Sequence, residues 1–450
     1  MSHSVDLHSE GDLNISPRRQ DWSKKNIDPQ TRAVLDEDSK YFLHQSLSTP
    51  CLNVLSHCEG SYIVDQSGKK LLDFHGNYIH QVGFANPKVI EAITQQMSTL
   101  SFCTRRYTNS PAIALAKKLS ELSSGSLNRV LFAPGGAEAI GMALKVARMA
   151  TGKFKTISMW DSFHGATLDA ISIGGEAIFR NNAGPLLPGT EHVPFPYPGE
   201  TPFGKSVSDN ADACASYLEY VLEKEGDVGA VIAETIRSSP SIPPKEYWQR
   251  IRKACDKHGA LLILDEIPHA LGRTGKMFTY QHYGIEPDMV VIGKGLGGGI
   301  FPLAALIATE ELNEAIKERA IGHFTHEKSP VACAAALATI QIIEDEHLLI
   351  RTEELGKSAL FQLEKLKTKY PLISDVRGLG LMLGIELRHP ETGEKAKIEA
   401  DTIMYRALEL GLNFKVSMGS TLTLTPPLTV TQGELETAFS IIDQCLMEVQ

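Results

Sequence analysis

Residues 289–302 read MVVIGKGLGGGIFP, an apolar run followed by five glycines that surround one lysine, Lys294. The letters from Gly293 to Gly298 match G-x-G-x-x-G, the pattern of a dinucleotide-binding loop whose glycines open a helix. Here Gly299 leads through Pro302 into another apolar run instead of a helix. The alternative is that the first apolar run is a strand, that Lys294 at its end performs chemistry, and that the glycines leave room around it.

Short apolar runs alternate with amphipathic segments through the middle of the chain. Strands are predicted at 130–132, 156–159, 230–233, 261–264, 289–292 and 303–307. Helices are predicted at 137–149, after Gly135-Gly136, and at 245–257, where Gly259 ends the pattern. Continuous apolar strands that alternate with helices are typical of a mostly parallel sheet covered on both faces. The sequence therefore predicts an α/β fold.

Changes of composition divide the chain into parts. Residues 1–30 are polar and without clear periodicity, so we predict a flexible N-terminal arm. Residues 76–335 are predicted to form the large α/β domain. Segments 31–75 and 336–450 are predicted to build a smaller α+β domain from both ends of the chain.

Bulk composition argues against several classes of protein. Among 450 residues, 54 Asp and Glu outnumber 44 Lys and Arg, and a net charge of −10 disfavours binding to nucleic acid. No apolar stretch is long enough to span a membrane, and the N-terminus lacks an apolar signal core. The seven cysteines show no C-x-x-C spacing, so neither disulfides nor a metal site are predicted. We expect a cytoplasmic protein.

Three features fall at the ends of predicted strands, where ligands bind in such sheets. Gly135-Gly136-Ala137 begins a helix and could hold a phosphate on its N–H groups, or could be a tight turn. Asp265, followed by Glu266, ends the run LLILD and needs a cationic or donor partner, which could be a structural salt bridge. Lys294 could attack a carbonyl group if an apolar pocket lowers its pKa, or could be a solvated lysine.

Pyridoxal 5′-phosphate (PLP) requires all three features together. Its phosphate needs a cradle, its ring nitrogen an acidic partner, and its aldehyde a lysine that forms a Schiff base. A P-loop at 272–276 is excluded, because Met277 replaces the required Ser or Thr and Ala270 replaces the first glycine. The sequence therefore predicts a PLP enzyme.

From about residue 45 to the C-terminus, the sequence resembles the class III (ω-amino) aminotransferase family of fold-type I PLP enzymes. The resemblance implies that Lys294 is the Schiff-base lysine and general acid/base, and that Asp265 pairs with the pyridine nitrogen. The motifs that carry it are PGGAEAIGMALKVAR (134–148), FHGAT (163–167), DEIPHALGRTGKMF (265–278), GKGLGGGIFPLAA (293–305), SPVACAAALA (329–338) and VRGLGLMLGIEL (376–387).

The resemblance also implies the remaining contacts of the cofactor. Phe163 would stack on the ring, with His164 beside it. The segment from Gly135 through Gly136 to Ala137 would hold the phosphate. Thr325 would reach the phosphate of the cofactor in the partner subunit, so the family pattern implies a homodimer with shared active sites.

Two departures from the family pattern concern the substrate. Pro268 stands where members usually have Gln, which hydrogen-bonds the phenolic oxygen of the cofactor. Thr423, in LTLTPPL (422–428), stands where aminotransferases that handle α-amino and α-keto acids typically carry an Arg that clamps the carboxylate. Loss of this clamp weakens the case for ordinary transamination.

A cationic side chain is needed in its place for a phosphonate or phosphate group. Arg106 aligns with an Arg of a phospho-lyase branch of the family, and could equally be a surface arginine. Lys328 is a second candidate, and Tyr78 is a further candidate contact of the substrate. These features favour elimination from a small amino-phosphonate that releases ammonia. The alternative is an ω-aminotransferase that moves an amino group from a terminal amine to a keto acid.

Overall fold

The computed structural model describes residues 16–43, 51–123, 125–197, 203 and 207–449. The chain divides into two compact units, residues 87–349 and residues 1–86 together with 350–450. The sequence also predicts one central domain and a second domain built from both chain ends. The predicted boundaries are 75/76 and 335/336, whereas the two units divide at 86/87 and 349/350.

Strands and helices are numbered here in chain order. The strands are β1 (Leu55–Glu59), β2 (Tyr62–Asp65), β3 (Lys70–Asp73), β4 (Leu127–Ala133), β5 (Lys155–Met159), β6 (Thr190–Val193), β7 (Val228–Glu234), β8 (Leu261–Asp265), β9 (Met289–Ile292), β10 (Ala304–Thr309), β11 (Ile373–Leu379), β12 (Met382–Leu387), β13 (Leu412–Asn413), β14 (Lys415–Ser417) and β15 (Thr421–Leu424). The helices are α1 (Pro17–Asn26), α2 (Pro29–Tyr41), α3 (Pro87–Thr99), α4 (Ser110–Ser123), α5 (Gly136–Thr151), α6 (Leu168–Ile173), α7 (Ala177–Arg180), α8 (Val207–Glu225), α9 (Lys245–His258), α10 (Glu310–Ala315), α11 (Pro330–Asp345), α12 (Leu348–Lys369), α13 (Lys397–Leu410) and α14 (Gln432–Glu448).

The unit of residues 87–349 is built on a seven-stranded sheet with the order β4-β10-β9-β8-β7-β5-β6. The pairs from β9 through β8, β7 and β5 to β6 are parallel, and β10 runs antiparallel to both of its neighbours. The mostly parallel sheet predicted from the sequence is thus confirmed. The strand predicted at 289–292 matches β9, because its side chains are buried on both faces of the sheet and leave one continuous apolar run.

Helix α5 packs its apolar side against this sheet. Its buried residues Ile140, Leu144 and Ala147 join Ile232 of β7 and Ile263 of β8 in one core cluster. This packing fixes the N-terminus of α5 relative to the ends of the central strands. It thereby places Gly136, the first residue of α5, against Ile267, which lies two residues after the end of β8.

The unit of residues 1–86 and 350–450 contains two four-stranded sheets, with the orders β1-β2-β3-β13 and β11-β12-β15-β14. The C-terminal strand β13 pairs in parallel with the N-terminal strand β3, so the two chain ends share one sheet. Both sheets contain antiparallel pairs, as the α+β prediction for this part of the chain requires.

Part of the predicted N-terminal arm is helical. Ser16 caps α1 and accepts a hydrogen bond from the Arg19 N–H, and Pro17 occupies the first turn, where its missing N–H costs nothing. The Trp22 ring is buried against Tyr405, with ring centroids 6.2 Å apart. Aromatic burial against α13, which hydropathy alone does not reveal, accounts for the order of this segment. Residues 1–15 of the predicted arm lie outside the described residues.

None of the helices formed by the described residues is both long and apolar enough to cross a membrane.

Candidate active site

The ends of β8 and β9 bring the predicted acid and the predicted lysine to the same edge of the sheet. Asp265, the last residue of β8, is in register with Val291 of β9, and the next residue, Glu266, donates its N–H to the Val291 carbonyl at 2.8 Å. Lys294 follows β9 after one residue, Gly293, and begins a short 3-10 turn, Lys294–Gly297. Parallel pairing thus carries both side chains to the carboxyl ends of the strands, where ligands bind in open α/β sheets.

Lys294 has an unusual backbone conformation. Its φ angle is 47°, in the left-handed region that side chains other than Gly seldom adopt. Such outliers cluster at functional sites, where the surrounding structure holds them in place. The side chain is half-buried. A four-residue 3-10 turn, and not a longer helix, follows β9, so the dinucleotide-binding interpretation is wrong.

The glycines after Lys294 serve packing within the same unit. A Cβ atom added at Gly298, where φ is 68°, would lie 2.7 Å from Val89 Cγ1 of α3 and 2.8 Å from Thr339 Oγ1 of α11. Gly298 therefore lets these two helices approach the turn that begins at Lys294. The close approach holds that turn rigidly, which keeps the lysine at the strand end.

His164 is the partner of the Asp265 carboxylate. The distance between His164 Nδ1 and Asp265 Oδ2 is 2.7 Å, and both residues are 2% exposed. The other carboxylate oxygen, Oδ1, accepts the Ile267 N–H at 3.0 Å. The opposite ring nitrogen of His164, Nε2, is buried and has no hydrogen-bond partner among the described residues. An acidic group held in this way can stabilise a cation placed against it.

Ile267 and Gly165 join the separate segments of the site. A Cβ atom at Gly136 would lie 2.7 Å from Ile267 Cδ1, and one at Gly293 would lie 3.4 Å from Ile267 Cγ2. Ile267 therefore fills the space between the start of α5 and the end of β9. A Cβ atom at Gly165 would lie 2.6 Å from the Ala137 Cβ, so the turn that carries Phe163 and His164 also touches the start of α5.

The start of α5 offers backbone N–H groups to an anion. Gly135 occupies the N-cap position in an extended conformation, and no side chain caps the helix. The first N–H groups of a helix lack partners within the helix and lie at the positive end of its dipole. The predicted phosphate cradle of Gly135, Gly136 and Ala137 therefore has the chemistry it needs, at a helix packed beside Asp265.

Phe163 has one side of its ring in contact with another aromatic residue. The centroids of the Phe163 and Phe179 rings are 4.7 Å apart and tilted by 40°. Phe163 is half-buried. The ring is thus supported by the protein and still partly accessible, as a residue that stacks on a flat ligand must be.

The three residues Glu266, Pro268 and His269, which follow Asp265 in the chain, differ in charge and in hydrogen bonding. Glu266 is fully buried and accepts hydrogen bonds from the Thr235 hydroxyl and from the N–H groups of Thr279 and Tyr280. Burial raises the pKa of the Glu266 carboxyl to about 7. Burial lowers the pKa of His269 to about 3, so this side chain is neutral at physiological pH and cannot act as a cationic proton donor. Pro268 between them has no polar side-chain atom with which to bind a cofactor.

Arg106, Thr325 and Lys328 lie in two neighbouring segments, away from these contacts. All three are exposed, and their side chains make no hydrogen bond or ion pair within the described ranges. The segments touch through Asn109 Nδ2, which donates to the Lys328 carbonyl at 3.0 Å. A single copy of the described chain therefore does not join these residues to Asp265 and Lys294 by any such contact.

Tyr78 and Thr423 belong to the other unit. Tyr78 is 3% exposed, has a φ angle of 62°, and lies with its ring 4.9 Å from Lys415 Nζ. Thr423 is buried and donates its hydroxyl to Ser417 Oγ at 2.9 Å. The position of Thr423 is thus occupied by a short, locally paired hydroxyl and not by a cationic clamp.

Sequence reasoning did not foresee every contact described here. It placed His164 beside the cofactor ring, which stays a prediction, and it gave no sign that the imidazole binds the Asp265 carboxylate. It also left out Arg237, a buried arginine whose contacts are described below. The signal for Arg237 was a charged residue in a stretch otherwise composed of Ser, Thr, Pro and apolar residues (235–244), which indicates a paired, buried charge.

Comparison with known proteins identifies the class. Residues 44–446 match the class-III aminotransferase family, and the chain belongs to that family. It is 49% identical to the (R)-1-hydroxy-2-aminoethylphosphonate ammonia-lyase of Vibrio splendidus (strain 12B01), over 98% of this chain and 96% of the relative. It is 34% identical to the leucine/methionine racemase of Thermococcus litoralis, over 93% of this chain and 96% of that protein.

Solved structures agree with this assignment. An ω-transaminase from Pseudomonas jessenii, in complex with PMP, superposes with a TM-score of 0.87 at 29% identity, covering 92% of this chain and 98% of that one. An amine transaminase from an uncultivated Pseudomonas species, in its PLP-bound form, gives a TM-score of 0.86 at 29% identity, covering 91% and 99%. The chain is a PLP-dependent enzyme of the fold-type I class.

The described residues fit this cofactor. An uncapped helix start supplies donors for a phosphate, and Asp265 supplies a buried carboxylate for a protonated ring nitrogen. Lys294 supplies an amine at the same edge of the sheet. These are the groups that a PLP site requires.

Substitution of Gly165 by alanine is expected to weaken cofactor binding. Its φ angle is 124° and the added Cβ would lie 2.6 Å from the Ala137 Cβ, so the turn with Phe163 and His164 must move away from α5. We expect a loss of stability of about 1–3 kcal/mol and a weaker affinity for PLP, measured by titration of the visible absorbance.

Gly152→Ala is the matched control. Gly152 also has a positive φ angle, 70°, but an added Cβ would meet nothing within 4 Å. This variant should lose stability through backbone strain and keep its affinity for PLP. Equal PLP affinities of the two variants would contradict the contact between Gly165 and α5 as a determinant of the site.

Proposed function

We propose that the chain is a PLP-dependent ammonia-lyase that converts (R)-1-hydroxy-2-aminoethylphosphonate to phosphonoacetaldehyde and ammonia, a step of phosphonate degradation. The observation that carries the proposal is the 49% identity, over 98% of the chain, to an enzyme of that name. The site contributes supporting chemistry, because Lys294 and Asp265 are both present and Thr423 stands in place of a carboxylate clamp.

Bound PLP supplies an electron sink that stabilises negative charge on the carbon bearing the substrate amine. Lys294 removes a proton from that carbon and, once protonated, donates the proton to the hydroxide that leaves the neighbouring carbon. Asp265 holds a proton on the ring nitrogen through its charge, and His164 fixes the orientation of the carboxylate. The enamine that is released takes up water and yields the aldehyde and ammonia, so the water lost in elimination is regained.

The remaining residues of the site are assigned as part of the proposal. Gly135, Gly136 and Ala137 hold the phosphate, and Phe163 stacks on the cofactor ring. A phosphonate dianion needs cationic or hydrogen-bonding partners, for which Arg106, Lys328 and Tyr78 are the candidates.

We also propose a homodimer with shared sites. Arg106, Thr325 and Lys328 are exposed and their side chains are unpaired within the described part of a single chain. In a dimer, these exposed polar side chains could contact the cofactor or the substrate in the active site of the second copy. Light scattering should give the mass of two chains, and a monomeric, fully active enzyme would contradict this arrangement.

The alternative is an ω-aminotransferase, since the two solved structures compared above are transaminases. The first proton transfer is common to both reactions. They differ in where the proton goes afterwards, and only transamination leaves the amino group on the cofactor and needs a keto acid to continue.

Ammonia release without any keto acid separates the two reactions. The purified enzyme should release ammonia from the hydroxylated amino-phosphonate through many turnovers, because elimination regenerates the starting cofactor. It should release none from 2-aminoethylphosphonate, which lacks the hydroxyl leaving group. A single turnover that stops until pyruvate is added would assign the enzyme to the transaminases instead.

A further inference from the structure

We propose that Arg237 is a positioning residue for the PLP site, because it ties the turn that carries Phe163 and His164 to the end of β7. The inference depends on the cofactor site and not on whether the enzyme eliminates or transaminates. Arg237 is one of the largest fully buried side chains among the described residues.

One end of the Arg237 guanidinium binds a buried carboxylate. Its Nη1 lies 3.1 Å from Glu234 Oε2, and the two side chains are 2% and 1% exposed. The other oxygen of Glu234 accepts the Ser238 hydroxyl at 3.3 Å. Glu234 is the last residue of β7, so this ion pair anchors the arginine to the central sheet. The contact between Nη1 and Oε2 is an ion pair by distance and does not have the geometry of a hydrogen bond. Pairing of opposite charges lowers the free-energy cost of burying them.

The other end of the guanidinium reaches the turn after β5. Arg237 Nη2 donates a hydrogen bond to the carbonyl oxygen of Asp161. Asp161 has a φ angle of 60°, in the left-handed region that Asn and Asp adopt more often than other residues with a side chain. The arginine therefore holds this peptide group in place from the loop after β7, the strand that pairs directly with β5.

The turn at Asp161 carries the two residues that are proposed to face the cofactor. Phe163 and His164 follow Asp161 closely, and His164 Nδ1 reaches Asp265 Oδ2 at 2.7 Å. Ser162 ties the same turn to the next segment, because its carbonyl accepts the Gly175 N–H at 2.8 Å. A shift of the Asp161 peptide group would thus move the imidazole relative to the carboxylate that it orients.

Hydrogen bonds also fix the loop that contains Arg237. The Arg237 N–H donates to the Ser241 carbonyl at 3.0 Å, and Trp248 Nε1 donates to the Thr235 carbonyl at 2.9 Å. Thr235 also donates its hydroxyl to Glu266 beside Asp265. The guanidinium therefore links a loop that is held by hydrogen bonds to the turn at Asp161.

The Arg237→Lys variant tests whether Arg237 acts by holding the Asp161 turn or only by neutralising the charge of Glu234. A lysine can keep the ion pair with Glu234, but its single nitrogen cannot bind the carboxylate and the Asp161 carbonyl with the planar fork of arginine. We expect PLP to dissociate about ten- to hundred-fold more readily, the range for loss of a hydrogen bond to a charged group. We also expect an altered pH dependence of the visible absorbance of bound PLP, because His164 no longer holds Asp265 in place.

A double variant without either charge, Glu234→Gln with Arg237→Met, tests whether a PLP defect is only a result of misfolding. Replacing both members of a buried ion pair is often neutral for stability. The double variant should therefore unfold, without cofactor, at nearly the wild-type temperature and still show the PLP defect. Arg252→Met is the control, since Arg252 forms ion pairs with Asp256 and Asp288 in the same unit and has no contact with the 161–165 turn.

Two results would overturn the proposal. Wild-type PLP affinity and absorbance in Arg237→Lys would show that the charge alone matters. A normal absorbance in the double variant would show that neither the ion pair nor the link to Asp161 positions the site. A PLP defect accompanied by unchanged preference between elimination and transamination supports the role of Arg237 whichever reaction the enzyme performs.

Discussion

Lys294→Ala is expected to slow ammonia release by at least about 10⁴-fold, because in the proposed mechanism one side chain both holds the cofactor and moves the proton. Lys294 lies at the end of β9 with a left-handed backbone, and the turn that it begins is packed against α3 and α11. Ammonia release and the visible absorbance of bound PLP are the two measurements.

A small free amine tests whether the loss is chemical. Methylamine added to Lys294→Ala should restore part of the rate, because it can accept the proton that the lysine would have taken. Lys253→Ala, which removes an exposed lysine of α9, should keep the wild-type rate. Substantial turnover by Lys294→Ala without added amine would overturn the assignment of this residue.

Asp265→Asn is expected to lower the rate by about 10³-fold, within the range of 10²–10⁴ for a misplaced proton in catalysis. The carboxylate, buried at 2% exposure and oriented by His164, favours a protonated nitrogen in the cofactor ring. A neutral amide has the same shape and no charge. The ring nitrogen should therefore lose its proton at a lower pH in the variant than in the wild type.

The pH dependence of the absorbance of bound PLP measures this shift directly. Asp256→Asn is the matched control, because Asp256 lies on α9 with its side chain 63% exposed. It should change neither the rate nor the spectrum. If Asp265→Asn keeps both the wild-type rate and the wild-type pH profile, the carboxylate is structural and another group serves the ring nitrogen.

Some of the fold follows from local patterns alone. The run at 289–292 forms β9 as predicted, since four buried apolar residues in a row are characteristic of a strand covered on both faces. The predicted helix at 245–257 ends at Gly259, whose φ angle of 63° suits a residue without a side chain. In both cases the deciding interactions lie within a few residues along the chain.

The candidate substrate residues illustrate what local patterns leave open. Arg106 and Lys328 have the right charge for a phosphonate, but charge does not say what a side chain faces. In the described part of the chain both are exposed, and their side chains make no hydrogen bond or ion pair there. Their predicted role stays a prediction, because spacing along one sequence carries no information about what these side chains face in a proposed dimer.

The sequence by itself determined the class of chemistry, because Gly135-Gly136-Ala137, Asp265 and Lys294 each follow or end a recognisable strand. Only the tertiary structure decided which groups hold these residues in place. His164 meets Asp265 across 101 residues of chain, and Ile267 separates Gly136 from Gly293. Arg237 binds the turn at Asp161 from the loop after the neighbouring strand, β7. The physical reason is that strand periodicity is a local property, whereas these contacts depend on the order of strands in the sheet, which brings distant segments to one edge.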